Sequence, residues 1–130
     1  MSQKPIELIL MRQLATCLAT AIFVVDADGT LVFYNEPAER VLGRRFEETG
    51  EMPPTEWATV WAPTDDDGRP LAPERLPLTI AVAERRPAHS TLWIHGLDGV
   101  RRRIEATALP LLGYAARPLG AVVVFWELAA

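Results

Sequence analysis

At 130 residues with 49% apolar and 23% charged side chains, the chain has the composition of one soluble globular domain: long enough to bury a core and too short for two. The formal net charge of −4 excludes generic binding to nucleic acid or anionic membranes, both of which need a basic surplus. The single cysteine, Cys17, excludes an internal disulfide, and no window reaches the roughly 18 to 20 apolar residues of a membrane span, so a cytoplasmic protein is expected.

The first segment, PIELILMRQLATCL, has helical periodicity: Ile6, Leu10, Leu14, Cys17 and Leu18 share a stripe, with Glu7, Arg12 and Gln13 largely off it. This predicts an amphipathic helix whose stripe needs a partner surface, with Cys17 as a small buried hydrophobe. Next, AIFVVD and TLVFYN flank Asp28-Gly29, a hairpin signal, and the side chains of Asp26 and Asn35 can bond nearby backbone amides. EPAERVLG then predicts a short helix, with Pro37 early in it and Gly43 as its C-cap.

Residues 44–72 are irregular, with four prolines, the acidic run Asp65, Asp66, Asp67, and short helices expected around TEWATVW. A helix is predicted over 73–86 with Leu76, Ile80 and Ala83 on one side; Pro77 lies in its first turn or moves its start to near Leu76. The last third predicts three strands: AHSTLWIH, then VRRRIEATALPL after the turn GLDG, then LGAVVVFWEL after the loop GYAARP. The order gives an α+β domain with a five-stranded antiparallel sheet, helices on one face and the amphipathic helix N-terminal to it. Residues 1–19 form that helical cap and 20–130 the domain.

Taken together, several stretches in this order resemble the PAS domain over residues 18 to 128: D-x-D-G-x-L-x-x-x-N in the first hairpin, the Ala38 to Gly43 helix, R-P-L…P-L…A before the long helix, DG-V-R-R-R-I-E-A-T-A-L-P-L, and G-A-V-V-V-F-W-E at the end. The resemblance implies a PAS-like sensory module that binds a small ligand in an internal cavity and works as a homodimer. Its output would reach an effector domain or partner signalling protein, as in transcription regulation or a kinase-associated sensor. The alternative is a ligand-free module for protein association, and a distant third is a small cone-shaped enzyme with a titratable pair in its cavity.

On the family pattern, Val123 and Phe125 of the last strand face the pocket, as do Ile104, Ala106 and Ala108, beside Leu92 and Ile94. Phe23, Phe33, Trp57 and Trp61 are candidates to fill the space the two alanines leave, and Ile80 approaches from the long helix. The core is either filled by these aromatics or hollow enough for a ligand. The outer face, Val122, Val124, Trp126 and Leu128, needs cover, which the N-terminal stripe Ile6, Leu10, Leu14 and Leu18 can supply, in its own chain or across a homodimer. Arg102 is placed at the pocket or its rim, where it would hold a carboxylate.

The cofactor is left unassigned. Haem-binding relatives ligate iron with a His from the long helix, and residues 73–86 contain none; His89 and His95 belong to a strand. Light-sensing relatives form a flavin adduct on a Cys lying here between residues 44 and 62, where there is none. Asp65, Asp66, Asp67 and Gly68 lack the alternating ligands and closing Glu of a calcium loop, so no metal is expected. No catalytic set is seen. The family's closing Asp-x-Thr is replaced by Glu127, Leu128 and Ala129, and the stop at Ala130 suggests an excised sensor or a free-standing module.

Overall fold

The computed structural model describes residues 5–129. The chain runs α1 (Ile6–Thr16), β1 (Ala21–Asp26), β2 (Leu31–Tyr34), α2 (Glu36–Leu42), α3 (Phe46–Thr49), α4 (Pro54–Val60), α5 (Pro77–Glu84), β3 (Ala88–His95), β4 (Arg101–Leu112) and β5 (Pro118–Glu127). The strands form one antiparallel sheet in the order β2-β1-β5-β4-β3. Helices α2 to α5 cover one face and α1 lies on the other. Each face therefore has its own apolar layer: Phe23, Tyr34, Trp57, Trp61 and Phe125 belong to the inner one, and Leu8, Ala15, Ile22, Val24, Val32 and Val122 to the outer one.

Strict alternation in β1 and β5 builds this arrangement. Phe23 and Val25 turn inward while Ile22 and Val24 turn outward; Val123 and Phe125 oppose Val122 in the same way. In β2 the alternation breaks. Val24 pairs with Phe33 but Val25 pairs with Leu31, so Val32 is an extra residue bulged out of the ladder. Phe33, expected in the core, consequently faces outward, under the Arg12 guanidinium at 4.8 Å and against Phe46 at 5.6 Å. Tyr34 takes the inner position instead.

The first turn forms as its residues require. Asp26 Oδ1 accepts from the amides of Asp28 and Thr30, both at 3.0 Å, and Gly29 adopts the left-handed φ of 83° that a side chain disfavours. Gly43 caps α2 at φ 83°, and a Cβ there would stand 2.6 Å from the Asp98 backbone nitrogen. Pro77 is the first residue of α5, so Leu76 becomes its cap and falls off the helical wheel. The face of α5 turned to the core is Leu78 and Ala81; Ile80 is half-buried and Ala83 exposed, which corrects the expected stripe.

Asn35 is the buried polar residue of this core, 1% exposed. Its Oδ1 accepts from the amides of Ile22 (2.9 Å) and Ala38 (3.2 Å), and its Nδ2 donates to the carbonyls of Ala15 and Thr20, both at 2.9 Å. Every hydrogen-bonding position of the amide is thus filled. Asn35→Ala strands these backbone groups at about 1–3 kcal/mol each, so urea denaturation of the variant should show a loss of at least about 3 kcal/mol. A loss below about 1 kcal/mol would contradict this role.

Candidate functional site

The inner layer is built around Phe23. Its ring lies parallel to Tyr34 at 5.9 Å and meets Trp57 and Trp61 edge-on at 6.2 and 6.0 Å. Both indoles are fixed by hydrogen bonds to backbone: Trp57 Nε1 donates to the Gly29 carbonyl at 2.7 Å and Trp61 Nε1 to the Leu42 carbonyl at 2.9 Å. Tyr34 hydroxyl donates to the Arg44 carbonyl at 2.8 Å, and burial raises its pKa. The aromatics thus form a packed cluster between the sheet and the helices.

What remains is an apolar hollow of about 100 Å³. Of the residues expected to face a pocket, Phe23, Trp57, Leu92, Ile94, Ile104, Ala106, Val123 and Phe125 line it. Ala108 is buried in the same layer outside the lining, Ile80 is not in the lining, and Phe33 lies on the opposite face. Trp61, expected like Trp57 to fill this space, also lines it, and Leu42, Pro63, Leu76, Pro77 and Leu78 complete the wall. Of these, the helix start at Pro77 was legible in the sequence, because proline is favoured at the first helical position, whereas the burial of its neighbours was not.

Arg102 does not reach the hollow. Its guanidinium is held by Asp98 (2.7 and 3.1 Å) and donates to the Val41 carbonyl at 2.9 Å, with Glu127 3.7 Å away. This clamp joins the β3–β4 turn to α2 and corrects the expectation of an arginine poised for a carboxylate ligand. No lining side chain is charged or titratable. The site fits neither haem nor flavin: ligand pockets for molecules of drug size or larger occupy about 300–1,000 Å³, and both indole N–H groups are already engaged. His89 and His95 are exposed on β3, with His89 bonded to Glu105 and Thr107. Asp65 of the acidic run accepts from the amides of Asp67 and Arg69 within its own turn.

The second candidate surface is α1. Leu8, Met11 and Ala15 press it onto Ile22, Val24, Val32 and Val122. The stripe expected to seal the sheet points the other way: Ile6, Leu10, Leu14 and Leu18 are 67, 55, 52 and 40% exposed. Positions 8, 11 and 15 share one side of the helical wheel and 6, 10 and 14 the opposite one, so α1 is apolar on two sides. Cys17, at the C-cap, is exposed, which overturns its reading as a buried hydrophobe. On β5, Val122 is covered by α1, Val124 is half-buried and Trp126 is 43% exposed; Leu128, just past the strand, is half-buried. Among the described residues, no helix is long and apolar enough to cross a membrane.

Two outcomes check this geometry. Ala106→Leu places its added carbons in the hollow and should change stability by less than about 1 kcal/mol; a loss of about 1–3 kcal/mol, the cost of overpacking, would mean that the core has no usable space. The second concerns Asp98. Hydrogen bonding to Arg102 lowers its pKa from 3.8 to about 2, so the clamp is complete above the ordinary carboxylate value and is lost as pH falls toward 2. Asp98→Asn should therefore flatten the fall of thermal stability between pH 3.8 and about 2. A fall as steep as in the parent protein would contradict the assignment.

A family model described as the PAS fold matches residues 17–130. No curated protein matches the chain. Among solved structures, the chain is similar to a LOV protein of Rhodobacter sphaeroides (TM-score 0.73, 17% identity, covering 96% of this chain and 69% of that one). It is also similar to the PAS domain of a Colwellia psychrerythraea protein (0.65, 19%, 92% and 97%), and to the light-state dimer of the fungal blue-light photoreceptor Vivid (0.62, 14%, 84% and 78%). At these identities the likenesses establish the fold. With the family model spanning nearly all of it, the chain belongs to the PAS fold family of sensory and signalling modules.

Proposed function

We propose that the chain is a non-catalytic sensory module that acts as a homodimer through the outward stripe of α1, with the inner hollow as the site of a small ligand. The observation that carries this reading is the exposure of Ile6, Leu10 and Leu14, each more than half accessible on a helix whose other side is already packed. Soluble helices seldom expose a continuous apolar stripe of this length unless a second surface covers it. A second copy supplies the same stripe by two-fold symmetry. The similar photoreceptor Vivid is described as a light-state dimer.

A route from ligand to dimer follows from β5. Val123 and Phe125 line the hollow, while Val122 and Val124, on its other face, lie against the layer that carries α1. A ligand that shifts β5 by a fraction of an ångström therefore moves the surface on which α1 rests. By linkage, a ligand preferring the dimer strengthens the dimer by the same factor. In this reading the change passes to an effector domain or a partner signalling protein in the cytoplasm. A ligand-free association module is a second reading, and the observation favouring it is the aromatic cluster, which packs around Phe23 and has both indoles fixed by hydrogen bonds.

Sedimentation velocity over a concentration series tests the dimer. The parent protein should sediment as a dimer, and Leu10→Glu together with Leu14→Glu should give a folded monomer with little change in melting temperature, since both positions are exposed. A variant that still dimerises, or a parent that stays monomeric throughout, would remove the interface.

A further inference from the structure

One wall of the hollow belongs to no helix and to no strand of the sheet. From Trp61 to Leu71 the chain leaves α4, runs along the edge of β3 and doubles back. The Trp61 carbonyl accepts from the His95 amide at 2.8 Å, and Thr64 exchanges both backbone hydrogen bonds with Trp93 at 2.9 Å. The return limb is closed by Leu71 N to the Pro63 carbonyl at 2.9 Å. Trp61 and Pro63 face the hollow, whereas residues 66–70 are exposed. Through Trp61 and Pro63 this strap forms part of the wall of the hollow at the β3 edge of the sheet.

Three features mark it as a part that opens. Asp66 fastens it from outside: its carboxylate accepts from Trp93 Nε1 at 2.9 Å and from Arg103 Nε at 3.0 Å, across to β3 and β4. Ala62, where the strap leaves α4, is held at φ 44°, a left-handed conformation that a non-glycine residue adopts under constraint. Thr64 Oγ1 is buried and, among the described residues, has no hydrogen-bond partner. The strap thus carries two local penalties, at Ala62 and Thr64, and is fastened to β3 and β4 by a contact on the surface.

The chemistry behind the strap restricts what it can admit. The lining offers no charge and no free donor, and an apolar cavity of about 150 Å³ in another protein holds benzene or xenon. We infer that residues 62–71 form a door, latched at Asp66, that admits an uncharged apolar molecule no larger than about benzene to the hollow. This rests on the reading of the hollow as a ligand site and is independent of the dimer.

The test uses the full chain, with fluorobenzene as the probe and fluorobenzoate as its charged counterpart, followed by ¹⁹F NMR exchange. Fluorobenzene should bind saturably and fluorobenzoate should not. Asp66→Ala, a change at the surface, should speed both uptake and release about two- to fivefold, as expected for loss of an exposed ion pair, while the affinity moves much less. Ala106→Leu, or the milder Ala106→Val, should weaken binding in a protein with unchanged circular dichroism. Absence of saturable binding, equal uptake of fluorobenzoate, unaltered exchange in Asp66→Ala, or full binding in both Ala106 variants would each overturn the inference. A protein that binds the probe but sediments as a monomer loses the dimer reading and keeps this one.

Discussion

The side-chain amide of Asn35 ties α1, β1 and α2 to one another at a single buried point. One buried group joins the end of α1, the link into β1, β1 itself and the start of α2. Its two acceptor bonds and two donor bonds require all four backbone groups to be in place together. The consequence extends further through covalent connection. The helix that Asn35 caps ends at Leu42, whose carbonyl holds the Trp61 indole, and Trp61 begins the strap over the hollow. A single polar residue thus fixes α1 on one face of the sheet and orients the aromatic wall on the other.

The sheet between those two layers is unusual in being apolar on both sides at β1 and β5. An antiparallel sheet with one wet face would alternate polar and apolar residues; here AIFVV and AVVVF are continuous. The outer layer consumes only one side of α1, and it covers β1, β2 and β5 while leaving the outward residues of β3 and β4 to a polar lattice that includes Asp66–Arg103 and His89–Glu105. Burial of the β5 backbone between two close-packed layers makes it the natural mechanical link between cavity and helix, because neither side can repack without the other sensing it.

Much of this was legible in the sequence. The strands, the hairpin turn at Asp28-Gly29 and the capping of α2 follow from local rules, and the resemblance to the PAS domain gave the inward faces of β4 and β5; the order of the strands in space came from the structure. The failures have particular causes. The bulge at Val32 inverted Phe33 and Tyr34, and no residue in that strand announces it. The choice between two apolar sides of α1 was open because either satisfies helical periodicity; Leu8 and Ala15 win through proximity to Asn35 and Ile22. Arg102 was drawn away from the pocket by Asp98, a pairing set by the tight turn at Gly96–Gly99. The strap depends on long-range contacts of Asp66 that lie 27 and 37 residues away in sequence.

The central claim is that α1 uses its two apolar sides for two tasks, one within the chain and one between copies. Cys17, the single and exposed cysteine at the end of the outward stripe, gives direct access to it. With a nitroxide attached there, double electron–electron resonance on the parent protein should show one intermolecular distance within about three helix diameters, each about 10–12 Å. No intermolecular dipolar signal, or a distance well beyond that span, would show that the outward stripe does not face a second copy.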